Sequence, residues 1–226
     1  MGYRLRKGVR TGFTYLVMTL LAIFFLFPIV FMLVSSIKSN ETQVMADMSS
    51  LYAFVPRGEL GLQNYTDVFE QLDFGQLMFN SVFIVGMTVL AGLAINSLMA
   101  YGLARLRFKG RGLLLGVVVA LIIIPFEAVA VPLLLLVNRL PWFGGATTWL
   151  DTYHVQIIPF IADAFSIFLF YQFFIGLPKD LEEAALVDGA SLLRIFWNIV
   201  LPLSRPVFAT VAILQFLTHW GDFLWP

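Results

Sequence analysis

FNSVFIVGMTVLAGLAINSLMAYGLA, residues 79–104, carries no Asp, Glu, Lys or Arg, and the basic turn Arg105-Leu106-Arg107-Phe108-Lys109-Gly110-Arg111 follows it at once. A helix needs about 20 apolar residues to cross the hydrocarbon of a bilayer, where no water satisfies an irregular backbone. The run lacks the period-2 alternation of a barrel strand, so a transmembrane helix is predicted. The whole composition agrees. Of 226 residues, 60% are hydrophobic and 12% charged, against about 45–50% and about 25% in soluble domains.

Working outward, Phe13–Ile37, Gly112–Val137, His154–Ile175 and Val207–Pro226 read the same way. The prediction is an all-α polytopic transmembrane bundle with five spans. The first span follows Arg4, Arg6, Lys7 and Arg10 and so imitates a signal peptide. It is too long for one and no small-x-small cleavage site follows, so it is read as a helix with Pro28 as a tolerated kink.

Charge then orients the chain. Eleven of its 14 Lys and Arg lie in residues 1–12, 105–111 and 177–206, and three in 38–77 and 138–153. The positive-inside rule places the N-terminus, the basic turn (a topology anchor) and 177–206 in the cytoplasm. Segment 38–77, with Lys38 and Arg57 against Glu41, Asp47, Glu59, Asp67, Glu70 and Asp73, faces outside. The expected division is 1–12 as a basic cytoplasmic N-terminus and 13–226 as the membrane domain. Trp225, at the end of the fifth span, suits the aromatic belt at the membrane interface. With no cysteine, disulfides and thiolate metal sites are excluded.

Residues 177–206 are more than a connector. Pro178-Lys179-Asp180-Leu181-Glu182-Glu183 reads as a helix start, with Asp180 as cap and Glu183 as its capping-box partner. Gly189 supplies the left-handed geometry that ends a helix. A second helix starts at its cap Ser191 and runs through Ile199 until Pro202 closes it. Helix, glycine, helix between two spans makes a docking element and a rigid lever.

The series Glu183-Ala184-Ala185, Gly189, Ile199, Leu201-Pro202 resembles the signature of ABC importer permeases. Seven fixed residues at about 7% usage each match by chance about once in 10⁸ positions. Other stretches resemble the carbohydrate-uptake (maltose/glycerol-3-phosphate-type) branch, and in it the second permease of the heteromeric pair. They include Phe27-Pro28, Ser36-Ile37-Lys38, Asn64-Tyr65, Asn80-Ser81, Ala100–Arg105, Pro202–Pro206 and Trp220–Pro226, where Gly221 replaces the more usual Asn.

The resemblance covers nearly the whole chain and implies a six-span family fold, of which this sequence lacks the last helix. It implies that Glu183, Ala184, Ala185, Gly189, Ile199, Leu201 and Pro202 couple the chain to ATPases. The expected function is the permease subunit of an importer moving a sugar or small oligosaccharide across a bacterial or archaeal inner membrane. Its partners are a second homologous permease, two cytoplasmic ABC ATPases and an extracytoplasmic solute-binding protein, with no nucleic acid. The chain has no Gly-x-x-x-x-Gly-Lys-Ser/Thr loop, so ATP and Mg belong to the partner ATPase and the chain is not an enzyme.

Glu127 and Asp163 lie inside predicted spans, where an ionisable group is a functional candidate by default. Both are candidates for the substrate path, against a bland reading as buried helix-break hydrogen-bonders. Asn96 and Ser97 are read as helix–helix glue. His154 and His219 are isolated and read as structural, not metal ligands. Two other functions stay open: a non-sugar ABC permease, and a secondary transporter relaying protons through Glu127 or Asp163.

Overall fold

The computed structural model describes residues 2–141 and 147–225. The side chains of Arg4, Arg6 and Lys7, and Pro226, on which the sequence reading drew, lie outside what is described. Among the described residues the regular structure is helical, with one isolated bridge between Lys38 and Leu60. The chain divides into two compact units, residues 1–77 and 78–226.

The first unit opens with α1 (Gly2–Ser36), a single helix that continues through Pro28. Its 35 residues are about 50 Å long at 1.5 Å per residue. That exceeds the bilayer core of about 30 Å, so α1 begins well before the apolar run at Phe13. A small cap follows, built from α2 (Glu41–Asp47), a 3-10 turn (Leu51–Phe54) and α3 (Gln63–Gln71). Asn40 and Ser50 cap the first two of these with their side chains.

At the centre of the cap is a charge the sequence left unassigned. Asp47 is buried, accepts from Lys38 Nζ at 2.9 Å and is ion-paired with Arg57. Lys38, itself 2% exposed, also donates to the Tyr52 carbonyl at 2.9 Å, and the Arg57 guanidinium lies 3.7 Å above the Tyr52 ring. Asn64 Nδ2 donates to the carbonyls of Ser36 (3.0 Å) and Lys38 (2.9 Å), while the Ser36 and Tyr65 hydroxyls sit 2.8 Å apart. Phe54 packs against Phe27 of α1, ring centroids 4.4 Å apart and tilted by 40°. Both cations of the segment are thus spent on Asp47, leaving Glu41, Glu59, Glu70 and Asp73 exposed.

The second unit continues α4 (Phe74–Arg105), then α5 (Arg111–Ile123), α6 (Phe126–Val137) and α7 (Tyr153–Ile157) with a 3-10 turn to Phe160. It closes with α8 (Ala164–Ile175), α9 (Asp180–Val187), α10 (Leu192–Ile195), a π-turn over Phe196–Val200, α11 (Leu201–Leu203) and α12 (Arg205–Trp220). Among the described residues two helices are long and apolar enough to cross a membrane, α1 and α4, and the number rises to as many as five if each of three bent pairs is one span.

The bends break two of the expected spans, and the last is helical over only part of its length. Gly112–Val137 is not one helix: α5 and α6 meet at 102°. Pro125 has no amide to donate and forces Ile124 into extended geometry, so the helix stops there, whereas Pro132 stays inside α6. His154–Ile175 bends by 41° before Asp163, and Val207–Pro226 is helical only to Trp220, at 80° to the segment before it. Trp225 is also corrected. It is buried, not interfacial, donating Nε1 to the Val155 carbonyl at 3.1 Å among Val137, Phe126 and Phe160. The main core gathers Ala100, Phe170, Phe174, Ile195, Phe196, Val200 and Val211 from α4, α8, the π-turn region and α12.

The Arg57 and Lys38 hydrogen bonds hold the Asp47 carboxyl well below the usual carboxylate value of 3.8, down to about 2. A depressed carboxyl stabilises the fold above its unfolded pKa, and that contribution is lost as pH falls through the folded value. Amide exchange in residues 38–60, corrected for its intrinsic pH dependence, is therefore expected to stay protected from pH 7 to about 4 and to lose protection toward pH 2. Asp47→Asn is expected to show the low-pH pattern throughout.

Candidate functional site

α9 is eight residues long, and its two faces differ sharply. Glu182 points inward, with Oε1 2.8 Å from Arg105 Nε and Oε2 accepting from the Tyr101 hydroxyl at 3.2 Å. Arg105 Nη2 also donates to the Leu177 carbonyl at 2.8 Å, just before α9. All three side chains are nearly dry, with Arg105 5% exposed. Tyr101 and Arg105 stand at i and i+4 on α4, which puts them on one face. Outward, Glu183 and Ala184 are exposed and Val187 is 88% exposed, while Ala185 is half-buried.

The expected capping box does not form. Lys179 occupies the cap position and no side chain caps α9, so Asp180 sits in the first turn. There Asp180, Glu182 and Glu183 still complement the positive end of the helix. Gly189 behaves as expected, at φ +79°. Its amide bonds the Leu186 carbonyl at 3.0 Å and the Ala190 amide bonds Ala185 at 2.9 Å, a Schellman ending.

Ser191 caps α10 as predicted, accepting from the Arg194 amide at 3.3 Å. Pro202, however, does not close the helix. The π-turn precedes it, Pro202 falls in the first positions of α11, and the break comes at Ser204. A helix start needs no proline amide, which is why the chain passes through. Ile199 and Leu201 are half-buried against the core, and Pro202 is exposed.

Glu127 and Asp163 converge on one cavity of about 520 Å³, together with Asp222, His219, Phe126 and Phe160. Among the described residues lining it there is no Lys or Arg. Glu127 is in the first turn of α6, and Asp163 caps α8 by accepting from the Ser166 amide at 2.7 Å. Asn96 of α4 accepts from the Asp163 amide at 3.0 Å and is fully buried, so it does join helices. Ser97 does not: its hydroxyl turns back on its own helix, to the Ala94 carbonyl at 3.2 Å. The chain of contacts ends at Gln215 of α12, whose Nε2 donates to Ser166 Oγ at 3.1 Å. His219 lies edge-on to Phe160 at 5.7 Å, and His154 Nε2 is 3.2 Å from Thr152 Oγ1; among the described residues no group of three metal-ligating side chains forms.

Two groups escaped the sequence reading. Glu182 enters the sequence reading only as part of a helix start, although Arg105 and Tyr101, one turn apart at the end of a span, signal an acceptor for both. Gln215, a lone amide in an apolar run, carries the same signal as Asn96.

Residues 92–226 match the family model described as binding-protein-dependent transport system inner membrane component. The chain is similar to the arabinooligosaccharides transport system permease protein of Bacillus subtilis, at 32% identity over 92% of this chain and 70% of that one. It is similar also to the trehalose/maltose transport system permease protein of Thermococcus litoralis, at 32% identity over 91% of this chain and 70% of that one. A crystal structure of a bacterial ABC transporter importing the acidic polysaccharide alginate superposes with a TM-score of 0.81, at 25% identity over 95% of this chain and 72% of that one.

Replacing Asn96 by the isosteric leucine strands the Asp163 amide. An unsatisfied buried donor costs about 1–3 kcal/mol, so Asn96→Leu is expected to lower the thermal unfolding midpoint of the detergent-solubilised protein. An unchanged midpoint would remove this bond from the account of the cavity wall.

Proposed function

We propose a transport role for this chain, which belongs to the family of binding-protein-dependent transport system inner membrane components: it is the permease subunit of an ATP-driven importer for a sugar or small oligosaccharide. The observation that carries this is the two-faced helix α9, anchored inward through Glu182 and bare outward at Glu183, Ala184 and Val187. Ala184 and Val187, three residues apart on one face of α9 and both exposed, offer a small apolar surface that a partner could cover. With the positive-inside rule, α9 faces the cytoplasm, where ATPases carrying their own ATP and Mg seat on it.

Mechanistically, closure of the ATPases moves α9, and the spans rock around the cavity bearing Glu127 and Asp163 in alternating access. Carboxylates that accept sugar hydroxyls, beside Phe126 and Phe160 that offer flat apolar faces, suit a saccharide path. Relatives named for arabinooligosaccharides and trehalose/maltose support a carbohydrate cargo. The cap at 38–77 faces outside, where a solute-binding protein delivers cargo, and a second homologous permease completes the pore.

Gly189→Val puts a branched side chain at φ +79°, which costs about 1–2 kcal/mol at that residue and reshapes the end of α9. Glu183→Lys places a cation in the first turn of α9. Both variants are expected to insert normally while losing the co-purifying ATPase and ATP-dependent uptake into vesicles. Normal ATPase recovery with both, or uptake abolished by uncouplers alone, would count against an ATP-driven importer coupled through this helix.

A further inference from the structure

We propose that Arg105, Glu182 and Tyr101 are the joint through which α9 drives α4, and that α4 is the rod carrying that movement to the cavity. The proposal rests on α9 as the ATPase-docking helix and assigns these three as positioning residues. An eight-residue helix is too short to hold itself in place, so its anchors set its position. At its start, α9 is held by the 2.8 Å Arg105–Glu182 pair, the 2.8 Å bond from Arg105 to the Leu177 carbonyl and the 3.2 Å bond from Tyr101. Separating the members of a buried ion pair strands a charge away from water, which is costly. Displacing the start of α9 therefore carries the end of α4 with it.

The far end of α9 is different. It turns through one glycine, at φ +79°, whose immediate surroundings are open. The helix is pinned at Glu182, while Ala185 and Ala190 pack against the main core, so a displacement of its start is passed to α4 through the Glu182 anchor.

Along α4, Asn96 lies nine residues before Arg105, about 13 Å at 1.5 Å per residue. Asn96 accepts from the Asp163 amide in the cavity wall. Gly92, one turn further, faces Gln215, whose Oε1 lies 2.7 Å from where a Cβ would be. One continuous helix thus joins the pinned end of α9 to two groups at the cavity.

The natural absence of cysteine permits a direct test. Thr218, exposed in the cavity lining, is changed to cysteine in the complete importer with its second permease, ATPases and solute-binding protein in liposomes. Labelling by a membrane-impermeant maleimide is timed with and without ATP and vanadate, and normalised to ATP hydrolysed by bound ATPase. Glu182→Gln and Arg105→Met are each expected to shrink the ATP-driven change in labelling at least about fivefold, the lower edge of ordinary inter-site coupling. Arg105→Lys is expected to restore part of it.

Tyr101→Phe keeps the ring against Phe174 and Phe196 and removes only the hydroxyl, so it folds even where Arg105→Met does not; a smaller loss in the same direction is expected. A merely destabilising role lowers labelling change and hydrolysis together and leaves the normalised value unchanged. An unchanged normalised value in Glu182→Gln and Tyr101→Phe overturns the joint. If ATPase association still depends on Gly189 and Glu183, only the joint falls; if it does not, the docking reading falls with it.

Discussion

A helix that breaks inside an apolar segment strands amides and carbonyls that lipid cannot satisfy, and the second unit is organised around that constraint. At the bend before α8 the Asp163 amide goes to Asn96 of α4, and the Asp163 carboxylate takes the Ser166 amide. Ser166 in turn receives Gln215 from α12. Asn96 and the Asp163 carboxylate thus answer backbone amides, and Gln215 ties α12 to them through Ser166. The cavity is where those demands meet, so its polar lining and its architecture have one cause.

The same economy governs segment 177–206. Arg105 ends a span, and a basic residue there already suits the last turn of a helix and the inner membrane surface. The fold adds a second task by turning Arg105 toward Glu182 and Leu177. Glu182 and Glu183 are neighbours in sequence but sit on different sides of α9, one buried in packing and the other exposed. A loop long enough to hold two helices is thereby fixed on one face and available on the other.

Much of this was legible in the chain because it depends on local composition. The spans show as long uncharged runs, Gly189 and Ser191 as punctuation with fixed backbone needs, and Asn96 as a polar side chain with nowhere to go but another helix. What was not legible depends on distant partners. Pro125 announces an interruption but not a 102° bend, because either direction satisfies proline. Trp225 fits an interface by type, and only packing against Phe126 and Val155 places it inside. Lys38, Asp47 and Arg57 are spread over twenty residues, and nothing local selects Asp47 from the six acidic residues of segment 38–77.

The meeting of α4 and α12 at Gly92 has a consequence for how such chains diverge. A methyl group at 92 runs into the end of Gln215, and Gln215 cannot swing aside without releasing Ser166. A larger residue at 92 therefore displaces Gln215 from Ser166. Descendants of this sequence that enlarge residue 92 are expected to carry a shorter side chain at 215, and to find a new donor for Ser166.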